Sequence, residues 1–576
     1  MTELQPFGTP EGSRADIAEL SDDRFVAFDG NVAQFGALAI PASDLGARVF
    51  VGRKGAGKTV YLRRAQAFAR DQQALYADII QQELPTTTQI FSVNRWFSPS
   101  LLPQVWMAIW RVAILRSLFT FLAHEPQLAN ADTPDFVHRM RQDYGDHLPV
   151  QQDPMSVYSQ VRAIVRRNHS GPKLLDFLED EDWDAIELRL GTQLADTRPI
   201  CFYLDAVDEE FRHAPMHWLM CQKGLFYQVM RFLRSARLGG RLHIVISIRD
   251  LVYSSIMQTE HMTRYVEPQR IRVLEWNIHS IRYLLRAKVE QLDPRLYLGD
   301  DAATEPLARW LGTKTIKNSK RNVVEDLEFY ILRHTRLIPR DLVILLNMLH
   351  ISALAAQEEG RSLRDEELRT VVSNAARLFG IEQLAIAGNQ LSVGYLPREA
   401  VEGDFVDLLT GELPNGPNAE AGLTPGIAFD PNEHGYVYRG LDQYDGTNPE
   451  LAAAAAYQRG IIDDLSDLLL AIGFDRFTTE EFSAAEEEAE RLFAGGRALS
   501  VLWQNGLLGY TEDDDFETGA PVFYSATNVD SLDVPANKSG YVLHPCLIDA
   551  IGLSSRGAPV VPFRFSQQGR PSYETI

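Results

Sequence analysis

The stretch RVFVGRKGAGKTVYL, Arg48 to Leu62, decides how the rest of the chain is read. Val49-Phe50-Val51 is a short apolar run of strand type, and the residues after Thr59 have helical character, so the glycine-rich segment between them is a strand-to-helix turn. Gly52 to Thr59 fits the pattern G-x-x-x-x-G-K-[ST] without a mismatch. Glycines at 52, 55 and 57 let the backbone bend until successive amide hydrogens face inward, and the start of the helix adds the positive end of its dipole. An anion is favoured there. For a nucleotide, the backbone of Gly52, Arg53, Lys54, Gly55, Ala56 and Gly57, on to Val60, is expected to cradle the phosphates. Lys58 then reaches the β- and γ-phosphates, and Thr59 gives its hydroxyl to Mg2+.

Around this turn the pattern alternates. ARVFV reads as strand, GKTVYLRRAQAFARD as helix and QALYADII as strand again, an order that implies an α/β fold with a parallel sheet over 41–83. Residues 84–195 have helical apolar spacing over 100–124, 134–143, 155–166 and 174–189, which predicts a long helical insertion. The sheet resumes in PICFYLD, passes through a helix around WLMCQKGLFYQVMRFLRSARL and returns in RLHIVISIRD, completing a core over 196–275. A helical lid is expected over 276–387, and dense Gly, Pro and Asn predict a loop-rich linker over 388–448. Residues 449–576 show helices, then two strand-like runs and a closing helix, the order of a winged-helix-like domain. Residues 1–40 are expected to form a lead-in packed on the first domain.

Three further segments carry chemistry. In PICFYLDAVDEEF an apolar strand ends in Asp205, followed by Asp208 and Glu209. An acid at a strand's carboxyl end shares an edge with the glycine-rich loop, so Asp205 is expected in the Mg2+ shell and Asp208 or Glu209 as the group that orients or deprotonates an attacking water. A solvated acidic loop is the structural alternative. HIVISIRD ends in polar Ser247, Arg249 and Asp250; Arg249 is the candidate sensor of the γ-phosphate, or else a surface arginine paired with Asp250 or Glu209. In HTRLIPRDLVILLN, Pro339 suits a helix start and Arg340 is expected to project from it toward the nucleotide, with Arg336 as an equal alternative.

Together GRKGAGKT, FYLDAVDEE, the strand ending in Arg249, the helical lid with Pro339 and the tail resemble the P-loop ATPases of the STAND and AAA+ branch, origin-recognition-like and KAP-like, found in bacterial phage-defence loci. The resemblance covers about residues 40–380 well and the tail loosely. It implies a P-loop NTPase sheet, ATP and Mg2+ as cofactors, and a switch or motor whose nucleotide state controls a homo-oligomer or a separately encoded protein partner. The alternatives are an assembly scaffold with little turnover and an origin-recognition-like DNA-binding ATPase. Three departures stand out, the first being that the insertion at 84–195 is long for a minimal ATPase. The STAND lid usually carries a glycine near its proline, where this chain has Leu337-Ile338, and no arginine finger is assigned beyond the candidates Arg264 and Arg270.

Composition narrows the classes. The 576 residues exceed the usual domain of about 100 to 200, so several cores are expected. Apolar residues at 45% and charged residues at 23% exclude a fibrous or largely disordered chain. Cys201, Cys221 and Cys546 lack metal-ligand spacing and read as buried thiols in a reducing cytoplasm. No basic-then-apolar leader opens the sequence, and QVWMAIWRVAILRSLFTFLAH, broken by Arg111 and Arg116, reads as a buried amphipathic helix, so a cytoplasmic chain with no membrane span is expected. Net charge is −22, and residues 460–555 hold eighteen acidic against four basic residues, which disfavours nucleic acid as the tail's partner. The one compact basic run, GTKTIKNSKRN, reads as a solvated loop between lid helices, the alternative being contact with nucleic acid, an acidic partner or a neighbouring subunit.

Overall fold

The structure, a computed structural model, describes residues 4–14, 47–71, 76–77, 93–94, 96–124, 132–149, 156–197, 199–205, 215–235, 237–238, 240–259, 268–299, 305–318, 321–394, 426–430, 435–439, 449–493, 497–512, 521–525, 532–562 and 573–575. The fold is mixed α/β, and the chain forms two compact units. One comprises Ala33–Arg53 and Lys58–Leu274; the other comprises Met1–Val32, Lys54–Gly57 and Glu275–Ile576.

The first unit is built on β1 (Val49–Val51), α1 (Lys58–Asp71), β2 (Tyr76–Ala77), β3 (Ile200–Leu204), α7 (Pro215–Arg234), β4 (Leu242–Ile248), α8 (Asp250–Met257) and β5 (Ile271–Val273). Its five strands pair in the order β2-β3-β4-β1-β5, every pair parallel. β1, β3 and β4 are buried along their whole length, as parallel strands covered on both faces must be. Between β2 and β3 lie five described helices: α2 (Leu102–His124), α3 (Thr133–Tyr144), α4 (Val157–Arg167), α5 (Gly171–Leu178) and α6 (Asp182–Ala195).

α2 is the axis of that insertion. The reading of it as amphipathic is corrected: every residue from Val112 to Leu122 is buried, so this stretch has no solvent face. Arg116 is tolerated inside because its Nε donates to Gln160 Oε1 at 2.7 Å and its Nη1 to the His147 carbonyl. Arg111 pairs with Glu187 and Asp184. α7 lies close against α2 at Gly224, where a Cβ would stand 2.4 Å from Trp106 Cβ. The expected helix over 174–189 is two helices. Its apolar period is continuous, but Asp180 Oδ1 accepts the Asp182 N–H at 3.0 Å and starts a new helix, a competition that short polar side chains win locally.

The second unit contains α9 (Ile278–Glu290), α10 (Pro306–Leu311), β6 (Thr315–Asn318), β7 (Val323–Asp326), α11 (Leu327–His334), α12 (Pro339–Glu358), α13 (Asp365–Gly394), β8 (Gly426–Asp430) and β9 (Gly435–Arg439). It continues with α14 (Pro449–Ile472), β10 (Arg476–Phe477), α15 (Thr479–Leu492), α16 (Ala498–Gln504), β11 (Leu508–Thr511), β12 (Pro521–Phe523), β13 (Gly540–Leu543), α17 (Pro545–Ile551) and β14 (Tyr573–Thr575). One apolar core joins α9 to α17, with Trp310, Leu345, Phe379, Leu469 and Leu502 all fully buried.

Three expectations change here. The basic run GTKTIKNSKRN is partly strand: its Thr315–Asn318 forms β6, which pairs antiparallel with β7 and buries Ile316, and β14 pairs with β7, while Ser319 and Lys320 lie outside the described residues. α13 runs past residue 388 to Gly394 and β8 pairs with β9, so part of the expected linker is regular structure. The described part of the lead-in, residues 4–14, belongs to this unit: Phe7 is buried with its ring 4.9 Å from that of Trp310, and Asn347 Nδ2 donates to the Gly8 carbonyl at 3.1 Å.

Candidate nucleotide site

The loop Gly52 to Thr59 leaves the carboxyl end of β1 and enters α1. Val51 is level with Ile248 of β4, and Leu204 of β3 is level with Ile246, so Gly52, Asp205, Ser247 and Arg249 all lie along one edge of the sheet. Gly52 N–H donates to the Ile248 carbonyl at 3.2 Å, fixing where the loop departs. Lys58 is buried, and its ammonium donates to the carbonyls of Gly52 at 2.9 Å and Arg53 at 3.1 Å, folding back over the loop it closes. Thr59 and Val60 are half-buried in the first turn of α1.

Asp205 is 2% exposed at the tip of β3. Ser247 Oγ donates to its Oδ1, and Tyr158 Oη donates to its backbone carbonyl at 2.8 Å. Arg53 Nε donates to Asp250 Oδ2 at 3.2 Å, so Asp250 pairs with the loop and not with Arg249. Arg249 is the residue before α8, and its N–H donates to Gln222 Oε1 at 3.2 Å. Gln222 is fully buried, and its Nε2 has no hydrogen-bond partner among the described residues. Asp208, Glu209 and Arg264 lie outside the described residues. Arg270 offers its carbonyl to the Arg48 N–H at 2.7 Å, a backbone tie just before β5.

The loop's middle, Lys54–Gly57, clusters with the second unit. Gly55 has φ 85° and Gly57 φ 95°, values that glycine adopts readily. A Cβ on Gly55 would stand 2.8 Å from Ile338 Cγ2, so no larger residue fits there without displacement. Arg340 N–H donates to the Gly55 carbonyl at 3.3 Å, and Trp276 Nε1 donates to the Ala56 carbonyl at 2.9 Å. The Arg340 side chain, expected to project toward the nucleotide, is held in an ion pair. Its guanidinium is turned to Glu382 of α13, Nη1 standing 2.9 Å from Oε1 and 2.8 Å from Oε2, because a buried carboxylate on the next helix needs a counter-charge. Lys54 Nζ reaches the same Oε1 at 3.4 Å. Arg336 forms a two-bond fork with buried Asp341, which commits it to starting α12.

Ser247, Gln222 and Glu382 were not singled out as site residues from sequence. Ser247 had a signal, being the lone hydroxyl in an apolar strand. Glu382 had a weaker one, a carboxylate inside an apolar helical run. Gln222 had none.

His147, Asp180 and Asp182 also lie close together in the first unit. The two imidazole nitrogens face different carboxylates, Nε2 at 3.0 Å from Asp180 and Nδ1 at 3.8 Å from Asp182. The Asp182 N–H and then His147 hold the Asp180 carboxyl below its ordinary range.

No protein-family model and no curated protein matches this chain.

Proposed function

We propose that the protein binds and hydrolyses Mg-ATP on the P-loop Gly52 to Thr59, and that nucleotide state controls assembly or a separately encoded protein partner. One observation carries this reading. A loop with the full G-x-x-x-x-G-K-T pattern leaves the strand next to β4 in a parallel sheet of order β2-β3-β4-β1-β5, and an acid and a hydroxyl, Asp205 and Ser247, meet at the same edge. The residues fit the group. Oxygen donors of the Thr59 hydroxyl and Asp205 carboxylate type suit Mg2+, Gly55 has the positive φ that such a loop needs, and Gln222 Nε2 is a buried donor without an acceptor among the described residues.

Bound there, Mg-ATP supplies a phosphoanhydride whose charge is already partly neutralised by the metal. Thr59 and Asp205 would hold the metal, and Ser247 would orient Asp205 by donating to one of its oxygens. Lys58 would exchange the carbonyls of Gly52 and Arg53 for phosphate oxygens. Asp208 or Glu209 would orient or deprotonate the water, and Arg249 would report the terminal phosphate. Guanine-reading N/T-K-x-D is absent from the sequence, which favours ATP.

Residues 449–551 support a winged-helix-like unit, with β13 pairing antiparallel to both β10 and β11, and β12 joined to β11. Its third helix, α16, buries Leu499, Val501, Leu502 and Trp503 and contains no lysine or arginine, so a protein is the better-suited partner than DNA.

The test is phosphate release and nucleotide binding by the full chain. Lys58→Ala is expected to weaken ATP binding at least tenfold, and Asp205→Asn to cut Mg-dependent release by about 100-fold or more, the scale of losing a metal or charge partner in phosphoryl transfer. Binding without measurable release in the wild type would leave a nucleotide-held scaffold. No binding at all would remove the proposal.

A further inference from the structure

We propose that Glu382 sets the P-loop's preference for triphosphate over diphosphate, by holding two cations for which a terminal phosphate competes; this rests on the nucleotide reading above. Lys54, Gly55 and Ala56, three consecutive loop residues, are each bonded within the second unit: Lys54 Nζ to Glu382, the Gly55 carbonyl to Arg340 N–H and the Ala56 carbonyl to Trp276 Nε1. Glu382 is the one carboxylate in that set. It is 2% exposed and takes both Lys54 and Arg340. Burial alone would raise its pKa, but the charges of Arg340, Lys54 and Arg336 outweigh burial and hold it well below the carboxylate range, so it stays charged at any physiological pH. Arg336 is itself neutralised by Asp341.

Glu382 therefore pairs with two cations beside a loop whose pattern suits phosphate. A γ-phosphate brings further negative charge to the same loop, and every contact it makes with Lys54 or Arg340 is won from Glu382. A diphosphate brings less charge and competes less. Glu382 is thus a positioning residue, acting through Lys54 and Arg340.

The experiment is a fluorescence titration of the full chain with N-methylanthraniloyl-labelled ATP and ADP, alongside a melting curve. Glu382→Gln is expected to raise the ATP-to-ADP affinity ratio about tenfold, whatever it does to stability. Lys54→Met, at a partly exposed position that folding tolerates, is expected to lower the same ratio several-fold. A Glu382→Gln protein that melts lower with the ratio unchanged would reduce Glu382 to a structural ion pair, and an unchanged ratio in Lys54→Met would overturn the proposal if Glu382→Gln fails to fold. Lys58→Ala separates the two levels. If it binds both nucleotides as the wild type does, the nucleotide reading itself fails; if it abolishes binding while both other variants keep the wild-type ratio, only this inference does.

Discussion

Leu337 stands at φ 51°, in the left-handed region that costs an L-residue about 1–2 kcal/mol and glycine almost nothing. This lies in the stretch where the resemblance to the STAND lid implies a glycine near the proline. The sequence lacks the glycine, but the backbone keeps glycine's geometry, because Thr335 must close α11 and Pro339 must open α12 within a few residues. Leu337 partly repays the strain by packing on the apolar core. Elsewhere in a chain Ala is more stable than Gly; here the order should invert. Leu337→Ala loses the packing and keeps the strain, whereas Leu337→Gly loses the packing and sheds the strain, so the glycine variant is expected to be the more stable of the two by about 1 kcal/mol in urea unfolding. Equal stabilities, or Ala ahead, would show that the turn has relaxed away from this conformation.

β4 shows how an element built for burial acquires a pH dependence. His243 is 8% exposed near its start, and Arg48 Nη2 donates to its Nδ1 at 3.3 Å, which keeps that nitrogen unprotonated. Burial, then the charges of Arg48 and Arg241, push the imidazole down to about 3 from an ordinary 6.5. The folded chain holds this group neutral where the unfolded chain protonates it. Its contribution is therefore complete above about pH 6.5 and drains as pH falls toward about 3, at roughly 1.4 kcal/mol per unit. His243→Gln keeps an acceptor for Arg48 without titrating. Between pH 7 and 4.5 the wild type should lose about 2 to 3 kcal/mol more than this variant, and parallel stability curves would refute the assignment. The strand itself was legible: the apolar run in RLHIVISIRD and the loop after ARVFV both mark carboxyl ends of strands, and they end at one edge. What could not be read were departures set by tertiary partners. A continuous apolar period hid the break at Asp180, because a side chain to backbone bond decides it. Dense polarity hid the β6–β7 hairpin, whose buried Glu325 is satisfied by Arg333 and by Asn318 Nδ2 at 2.7 Å.

At the scale of the molecule, sequence reveals the number of cores more readily than their membership. Length alone implies several, and periodicity finds the helices, but nothing local joins Gln5 to Tyr436, whose side chains bond at 3.1 Å. The same holds for charge: the acidic excess of the tail is plain from composition, whereas its placement on exposed positions such as Asp463, Asp467, Glu486 and Glu490 follows from which faces of α14 and α15 are buried. Two units with separate cores should also unfold as separate cooperative steps, since chains of this size commonly depart from two-state behaviour. Trp183 and Trp310 are both fully buried, one in each unit. Truncating a buried tryptophan to alanine costs about 3–5 kcal/mol, and in a unit of this size each kcal/mol moves the midpoint by roughly 2–4 °C. In scanning calorimetry, Trp183→Ala is expected to lower one transition by on the order of 10 °C and leave the other within about 2 °C, with Trp310→Ala doing the reverse. If each substitution drags down a single transition by the same amount, the two cores are energetically one.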